Sequence, residues 1–209
     1  MTGAPSDADD ARWAPPLFNA GPWQVRPLHR AALPELQALF EANPDFFVTV
    51  GGQPPGPTEA QDEFDELPPP HLPFAQRWFA GLVAADGTLQ GVLILLSDFC
   101  APGVWHLALF FVASAWHGRG AAQQVYQGLE AWVRGQPGAA WLRLGVVHGN
   151  TRAERFWARC GFEPVRTRPM TDASGQPRTV SVLVKPLAGG ALANYLALMP
   201  RDEPGSTLA

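Results

Sequence analysis

The chain has 209 residues, 46% of them hydrophobic and 16% charged, which is enough apolar material for one domain with a sizeable core. Its net charge is −4 and Lys185 is its one lysine, a balance that argues against nonspecific nucleic-acid binding. Cys100 and Cys160 form no CxxC pair, so a reduced, cytoplasmic protein is expected; no stretch is apolar enough to cross a membrane, and His29, His71 and His148 lack metal-ligand spacing.

Residues 1–20 carry early acids (Asp7, Asp9, Asp10) and no basic region before an apolar core, which predicts a disordered leader and not a signal peptide. Trp23 to Leu28 reads as a strand. Ala31 to Ala42 reads as a helix with Leu33, Leu36, Leu39 and Phe40 inward, ended by Asn43-Pro44. From Asp45 to Pro73 the chain is rich in proline and glycine and predicts a long loop, within which Thr58 caps a short acidic helix to Leu67. Gln76–Ala85 and Thr88–Asp98 make a hairpin around Asp86-Gly87.

Val104 to Val112 is the next strand, and its apolar run from Leu107 predicts cover on both faces. His117-Gly118-Arg119-Gly120-Ala121-Ala122 then leads into an amphipathic helix with Val125, Leu129, Trp132 and Val133 at helical spacing. A strand, a glycine turn and a helix start together present unpaired amides at a positive dipole end, which suits a phosphate or pyrophosphate. The turn is neither the dinucleotide fingerprint, since position 123 is Gln, nor a P-loop, since no Gly-Lys-Ser/Thr follows. Trp141 to Val147 is a further strand. Asn150 caps a short helix with Ala153, Phe156, Trp157 and Cys160 on its inner face, and Gly161 ends it. Phe162–Arg168 and Thr179–Leu187 form a last hairpin across Asp172 to Gln176. The 188–209 tail holds an apolar patch, Ala191 to Met199, either a docking helix or part of a homodimer contact.

The two segments opening at His117 and Asn150 together resemble the paired motifs of the GNAT superfamily of N-acetyltransferases. The first is similar to its Arg/Gln-x-x-Gly-x-Gly/Ala loop, with His117, Gly120 and Ala122 at the defined places. The second is similar to its Asn-x-x-Ala-x-x-Phe-Tyr-x-x-x-Gly-Phe pattern, with Trp157 where tyrosine is usual. The resemblance covers roughly 22 to 186. It implies an α/β GNAT fold over 21–187, with a mixed, mostly antiparallel sheet of six or seven strands flanked by helices.

The resemblance also implies acetyl-CoA as donor, a small-molecule or peptide amine as acceptor, and direct attack. A backbone amide near Phe111 or Val112 would hold the thioester carbonyl, and the pantetheine arm would pair along this strand through Ser114. The pyrophosphate would sit on Gly118, Arg119, Gly120, Ala121 and Ala122, with His117 and Asn150 as further contacts and Arg119, Arg152 and Arg155 near phosphates. A base must deprotonate the ammonium. His106, six residues before Val112, is the first candidate and Asp98 the rival; a hydrogen-bonded strand histidine and a turn aspartate are their structural alternatives. Trp157 can donate a hydrogen bond but no proton, so a noncatalytic acyl-CoA-binding module of the same fold is the alternative function. Phe46 and Phe47 are expected to line the acceptor pocket. The acids Glu59, Asp62, Glu63, Asp65 and Glu66 either draw in a cationic acceptor or form a solvated helix face.

Overall fold

Continuous apolar runs pair into one eight-stranded sheet in the computed structural model, which describes residues 11–208. The strands are β1 (Phe18–Ala20), β2 (Trp23–Pro27), β3 (Gln76–Val83), β4 (Leu89–Ser97), β5 (Val104–Val112), β6 (Trp141–Val147), β7 (Glu163–Thr171) and β8 (Pro177–Pro186). They lie in the order β1-β2-β3-β4-β5-β6-β8-β7, antiparallel throughout except for β5 against β6. Among the described residues six α-helices flank the sheet: α1 (Leu33–Glu41), α2 (Pro44–Gly51), α3 (Glu59–Asp65), α4 (Ala121–Arg134), α5 (Thr151–Arg159) and α6 (Leu192–Leu198). Helix α4 buries Ala121, Val125, Tyr126, Leu129 and Val133, the i, i+4, i+8 stripe that makes a helix amphipathic. On its own side α1 buries Leu33, Leu36 and Phe40 in a cluster with Phe79, Val92, Ile94 and Phe111.

Two irregularities at the centre of the sheet position the site. Parallel pairing of β5 with β6 lasts from Val104↔Trp141 to Leu107↔Leu144, whereas β6 stays bonded to β8 out to Val147. Past Leu107 the two central strands therefore part, leaving backbone groups of β5 facing a gap. On its other edge β5 steps in register, with Leu95 opposite Leu107 and Ile94 opposite Leu109. Ala108 is the extra residue of a β-bulge, and such a bulge bends the strand and increases its twist.

Several expectations need correction. The leader predicted for 1–20 holds structure in its described part: Trp13 bridges Leu28 and is buried, and Phe18 of β1 stacks on Trp132 at 5.7 Å. Residues 1–10 lie outside the described part. β1 is also the eighth strand, beyond the six or seven expected. Asn43-Pro44 does end α1, but Pro44 then opens α2 in place of a loop, since proline at a first helical turn lacks only an amide that would be unpaired there. Thr58 precedes α3, yet its hydroxyl donates to Asp62 Oδ2 (2.7 Å) and caps no amide. The Ala191–Met199 patch packs on the chain's own sheet, burying Tyr195 and Met199 against Leu96, Val104, Trp141 and Val184. Among the described residues no helix is long and apolar enough to cross a membrane.

Candidate active site

Where β5 and β6 part, a cleft of about 770 Å³ opens, lined by β5 from Leu107 to Val112, the glycine turn, the start of α4, Leu144 to Val147 and one face of α5. Ala113 donates to Gln90 O (2.9 Å). Alternation along an extended strand then turns the Phe111 amide toward β4 and the Phe110 and Val112 amides toward the gap. The two backbone donors expected at this point are thereby separated: Val112 faces the gap, while Phe111 faces β4 and its ring packs among Phe40, Phe46 and Phe47. Ser114 needs a similar correction. Its amide donates to Asn43 Oδ1 (2.8 Å) and its carbonyl accepts from His117 N (3.0 Å), leaving only the hydroxyl for a ligand.

At the end of the cleft, Gly118 and Gly120 adopt left-handed φ values of 75° and 77°, and a Cβ at either would meet nothing within 4 Å. The glycines answer to the backbone turn and keep the space in front of it open. The amides of Gly118 to Ala122 have no acceptor among the described residues, and they sit at the positive end of a 14-residue helix. His117 spans the turn: Nε2 lies 2.9 Å from Val112 O and Nδ1 lies 2.8 Å from Arg152 Nη1. A guanidinium only donates and a carbonyl only accepts, so the ring is neutral with its proton on Nε2. Burial, and then Arg152, hold its pKa below the ordinary histidine value, whereas the Val112 bond works the other way. Asn150 caps α5 through Oδ1, which accepts from Ala153 N (3.1 Å), and its Nδ2 has no acceptor among the described residues. Open amides, the Arg152 guanidinium and a free carboxamide together fit a diphosphate-bearing ligand such as coenzyme A. Arg119 instead lies over the Trp116 ring, 6.0 Å from its centroid, outside the cleft lining.

A second cavity, of about 550 Å³, lies on the α2–α3 side of β4 and β5. It shares Phe46, Val50, Ala108 and Leu109 with the cleft, so the two spaces abut at the bulge. Phe47 lines it as well. The acidic helix α3 is divided: Glu59, Glu63 and Glu66, at i, i+4 and i+7, line the cavity, whereas Asp65 pairs outward with Arg30 (2.6 Å). Glu59 accepts from Gly56 N (3.0 Å). The Glu63 carboxylate has no partner among the described residues; burial, then Glu66 and Glu59, raise its pKa to about 7 against the weaker pull of Arg77. Arg77 itself donates to the carbonyls of Phe64 (3.0 Å) and Glu63 (2.6 Å).

The two candidate bases fare differently from expectation. His106 does line this cavity, but its ring stacks on Phe99 at 4.6 Å and its Nδ1 faces the Arg143 carbonyl and guanidinium at 3.2 and 3.3 Å. Burial, and then Arg143, push its pKa down to about 3, too weak a base to take a proton from an ammonium near neutral pH. Asp98 adopts φ 48° and accepts from Gly103 N (2.7 Å) as a turn residue, and it lines neither cavity. Trp157 borders the cleft within an aromatic nest of Phe110, Tyr126, Phe156 and Phe162. Both tyrosines of the chain are committed elsewhere, Tyr126 with Lys185 (3.0 Å) and Tyr195 with Asp202 (2.5 Å), and burial raises the pKa of each. Glu63, Asn43 and the bulged Ala108 were not singled out by sequence. Only Glu63 left a trace there, as one acid among five.

Residues 36–162 match the acetyltransferase (GNAT) family. The fold is similar to that of an acetyltransferase from Thermus thermophilus (TM-score 0.59, 22% identity, covering 78% of this chain and 96% of that one). It is also similar to a GCN5-related N-acetyltransferase from Kribbella flavida (TM-score 0.56, 24% identity, 80% and 99%). A third similar fold is that of spermidine N-acetyltransferase from Vibrio cholerae, solved with CoA and spermine (TM-score 0.61, 14% identity, 80% and 97%). At these identities the likeness is one of fold. Among curated proteins nothing matches the chain.

Proposed function

The chain belongs to the GNAT acetyltransferase family, and on that premise we propose that it moves an acetyl group from acetyl-CoA to a primary amine by direct attack, in the cytoplasm. The observation that carries this reading is the meeting of two cavities at Ala108, beside the point where β5 leaves β6. One space offers anion-binding amides, and the other offers carboxylates on an apolar ground. A donor thioester and an acceptor amine can thus approach one another from opposite sides of a single strand, which removes the entropic cost of bringing them together during the reaction.

Each part then has a role. The amides of Gly118 to Ala122, with Arg152 held by His117, take the diphosphate. The gap-facing backbone of Phe110 aligns the pantetheine arm, and the amides of Phe110 and Val112 are offered to the oxygen of the thioester carbonyl as charge grows on it, the Val112 carbonyl being held by His117. Asn150 adds a carboxamide. No tyrosine lines the cleft, so the departing sulfur is protonated through water or by the Ser114 hydroxyl. The unpaired thiols Cys100 and Cys160 support a reducing compartment.

The test combines calorimetric CoA titration with a thiol-release assay over a panel of primary amines. Amine-dependent release is expected, together with an upward shift of melting temperature that follows CoA concentration. Tight CoA binding without turnover of any amine would point to the noncatalytic acyl-CoA-binding module, a reading that the lack of a phenol at the cleft favours. Absence of CoA binding would remove both.

A further inference from the structure

We infer that Glu63 is the general base of the reaction, and that the acceptor is a compact primary amine with an apolar body whose ammonium enters the cavity beside this carboxylate. The inference rests on the acyl-transfer reading above and adds to it the base and the acceptor class. The cavity has about 550 Å³, the size of a small-molecule site. Four groups with charge or a titratable proton face Glu63 or share its cavity: Glu59 from α3, Glu66 just past its end, Arg77 from β3 and His106 from β5. Three carboxylates against one guanidinium leave the lining negative, and His106 stays neutral at working pH. An amine arriving as a cation is therefore favoured. Glu59 is held by the Gly56 amide and Arg77 by two backbone carbonyls; of the two carboxylates left without a hydrogen-bonded partner among the described residues, Glu66 is exposed and Glu63 is half-buried in the cavity wall.

The opposite wall decides the body of the acceptor. Leu72, Ile94, Leu96, Phe99 and Leu109 line it, with Phe46 at the junction. No carboxylate stands on this wall, so a second ammonium carried toward it, away from the acids of the facing side, would be desolvated at a large cost. An aromatic or branched aliphatic group loses water there favourably.

The ammonium gives one proton to the Glu63 carboxylate, directly or through one water, and Glu63 later releases it to solvent. The freed nitrogen lone pair forms the new bond to the thioester carbon, and the carbonyl π pair moves to oxygen. Collapse restores the C=O and breaks the C–S bond, whose electron pair leaves on sulfur. The second nitrogen proton passes through water to that sulfur, so the products are the amide, the free thiol and one proton. A carboxylate with a pKa near 7 is well matched to the first transfer at neutral pH.

The experiment compares wild type, Glu63→Gln and Glu63→Asp on 2-phenylethylamine, spermidine and glycine. Wild type is expected to favour 2-phenylethylamine at least tenfold in kcat/KM, with a limb that rises through about pH 7. Glu63→Gln should bind CoA as wild type does, lose about 10²–10³-fold in kcat/KM and lack that limb, while Glu63→Asp retains it. Melting of the ligand-free proteins is a readout independent of turnover. The folded pKa of Glu63 is raised from 4.5 to about 7, so wild type loses stability relative to Glu63→Gln as pH rises across that interval. A Glu63→Gln enzyme within threefold of wild type with an unchanged profile, equal melting at every pH, or a preference for spermidine or glycine would each overturn the inference. Should wild type bind CoA yet acetylate no amine while the melting difference persists, the acyl-transfer reading falls and the catalytic role of Glu63 falls with it.

Discussion

His117 and Arg152 are joined by a 2.8 Å contact between Nδ1 and Nη1, while the far nitrogen of the same ring donates to Val112 O at 2.9 Å. One imidazole thus ties the end of β5 to α5 across the mouth of the glycine turn, and the guanidinium comes to rest beside the open amides. On the proposed reading, histidine can stand at the first place of the glycine motif because the positive charge comes from the neighbouring helix and the histidine orients it.

If the pair works as a unit, His117→Ala and Arg152→Ala should each weaken CoA binding by about tenfold, near 1.4 kcal/mol. The double variant should then be little worse than either single one, because the second change removes a contact already lost. Calorimetry on the four proteins gives the coupling directly, and plain additivity would show that the two residues act separately. The neutral ring is also required. Since burial holds the folded pKa below the ordinary histidine value, protonation that expels Arg152 should appear only on acidification past the usual histidine range, seen as a drop in CoA affinity there and not near neutral pH.

Two glycines with the same backbone angle should behave differently. Gly120 (φ 77°) faces open space, whereas a Cβ on Gly52 (φ 81°) would lie 2.5 Å from Asp172 Oδ2. Asp172 organises the turn between β7 and β8 by accepting from Ser174, Gln176 and Arg178, and Ala173 N donates to Gly51 O (3.0 Å). This hairpin tip is therefore fastened to α2 at the rim of the smaller cavity. Gly120→Ala should cost only the left-handed strain, about 1–2 kcal/mol, and reduce CoA affinity by placing a methyl in the cleft. Gly52→Ala should cost more stability and spare CoA binding while raising KM for the amine. Chemical denaturation and CoA titration separate the two cases, and equal loss of CoA affinity in both would refute the distinction.

The legible parts of this chain are those fixed by local pattern. The apolar runs of β3 to β6 specify buried strands by themselves, and the glycines at 118 and 120 specify a turn before a helix whose apolar stripe is plain. Pro44 misled because the same residue stops one helix and starts another, and sequence does not say which when the two adjoin. Trp13 and Phe18 are ordered by Leu28 and Trp132, contacts that no local pattern announces. Similarly, His106 has the right position for a base. What disables it is burial and then Arg143, 37 residues further on, and the choice of Glu63 among five acids depends on which face of α3 meets β4 and β5.

Asp202 is fully buried and binds Arg143 through both oxygens, at 2.7 and 3.0 Å, while accepting from Tyr195. Burial would raise the pKa of this carboxyl, but the Arg143 bonds outweigh it and hold the pKa below the usual range. Asp202→Ala leaves a guanidinium buried without its counter-ion, and about 3–5 kcal/mol of stability should be lost. Asp202→Asn keeps the shape and should lose less. A carboxylate with a depressed pKa stabilises the fold above its unfolded pKa, and that contribution disappears as pH falls through the folded value. Wild type should therefore lose stability relative to Asp202→Asn on acidification below about pH 4. Melting curves from pH 7 to pH 3 check the sign, and a gap between the two proteins that stays constant over this range would mean that the tail is held by its apolar contacts alone.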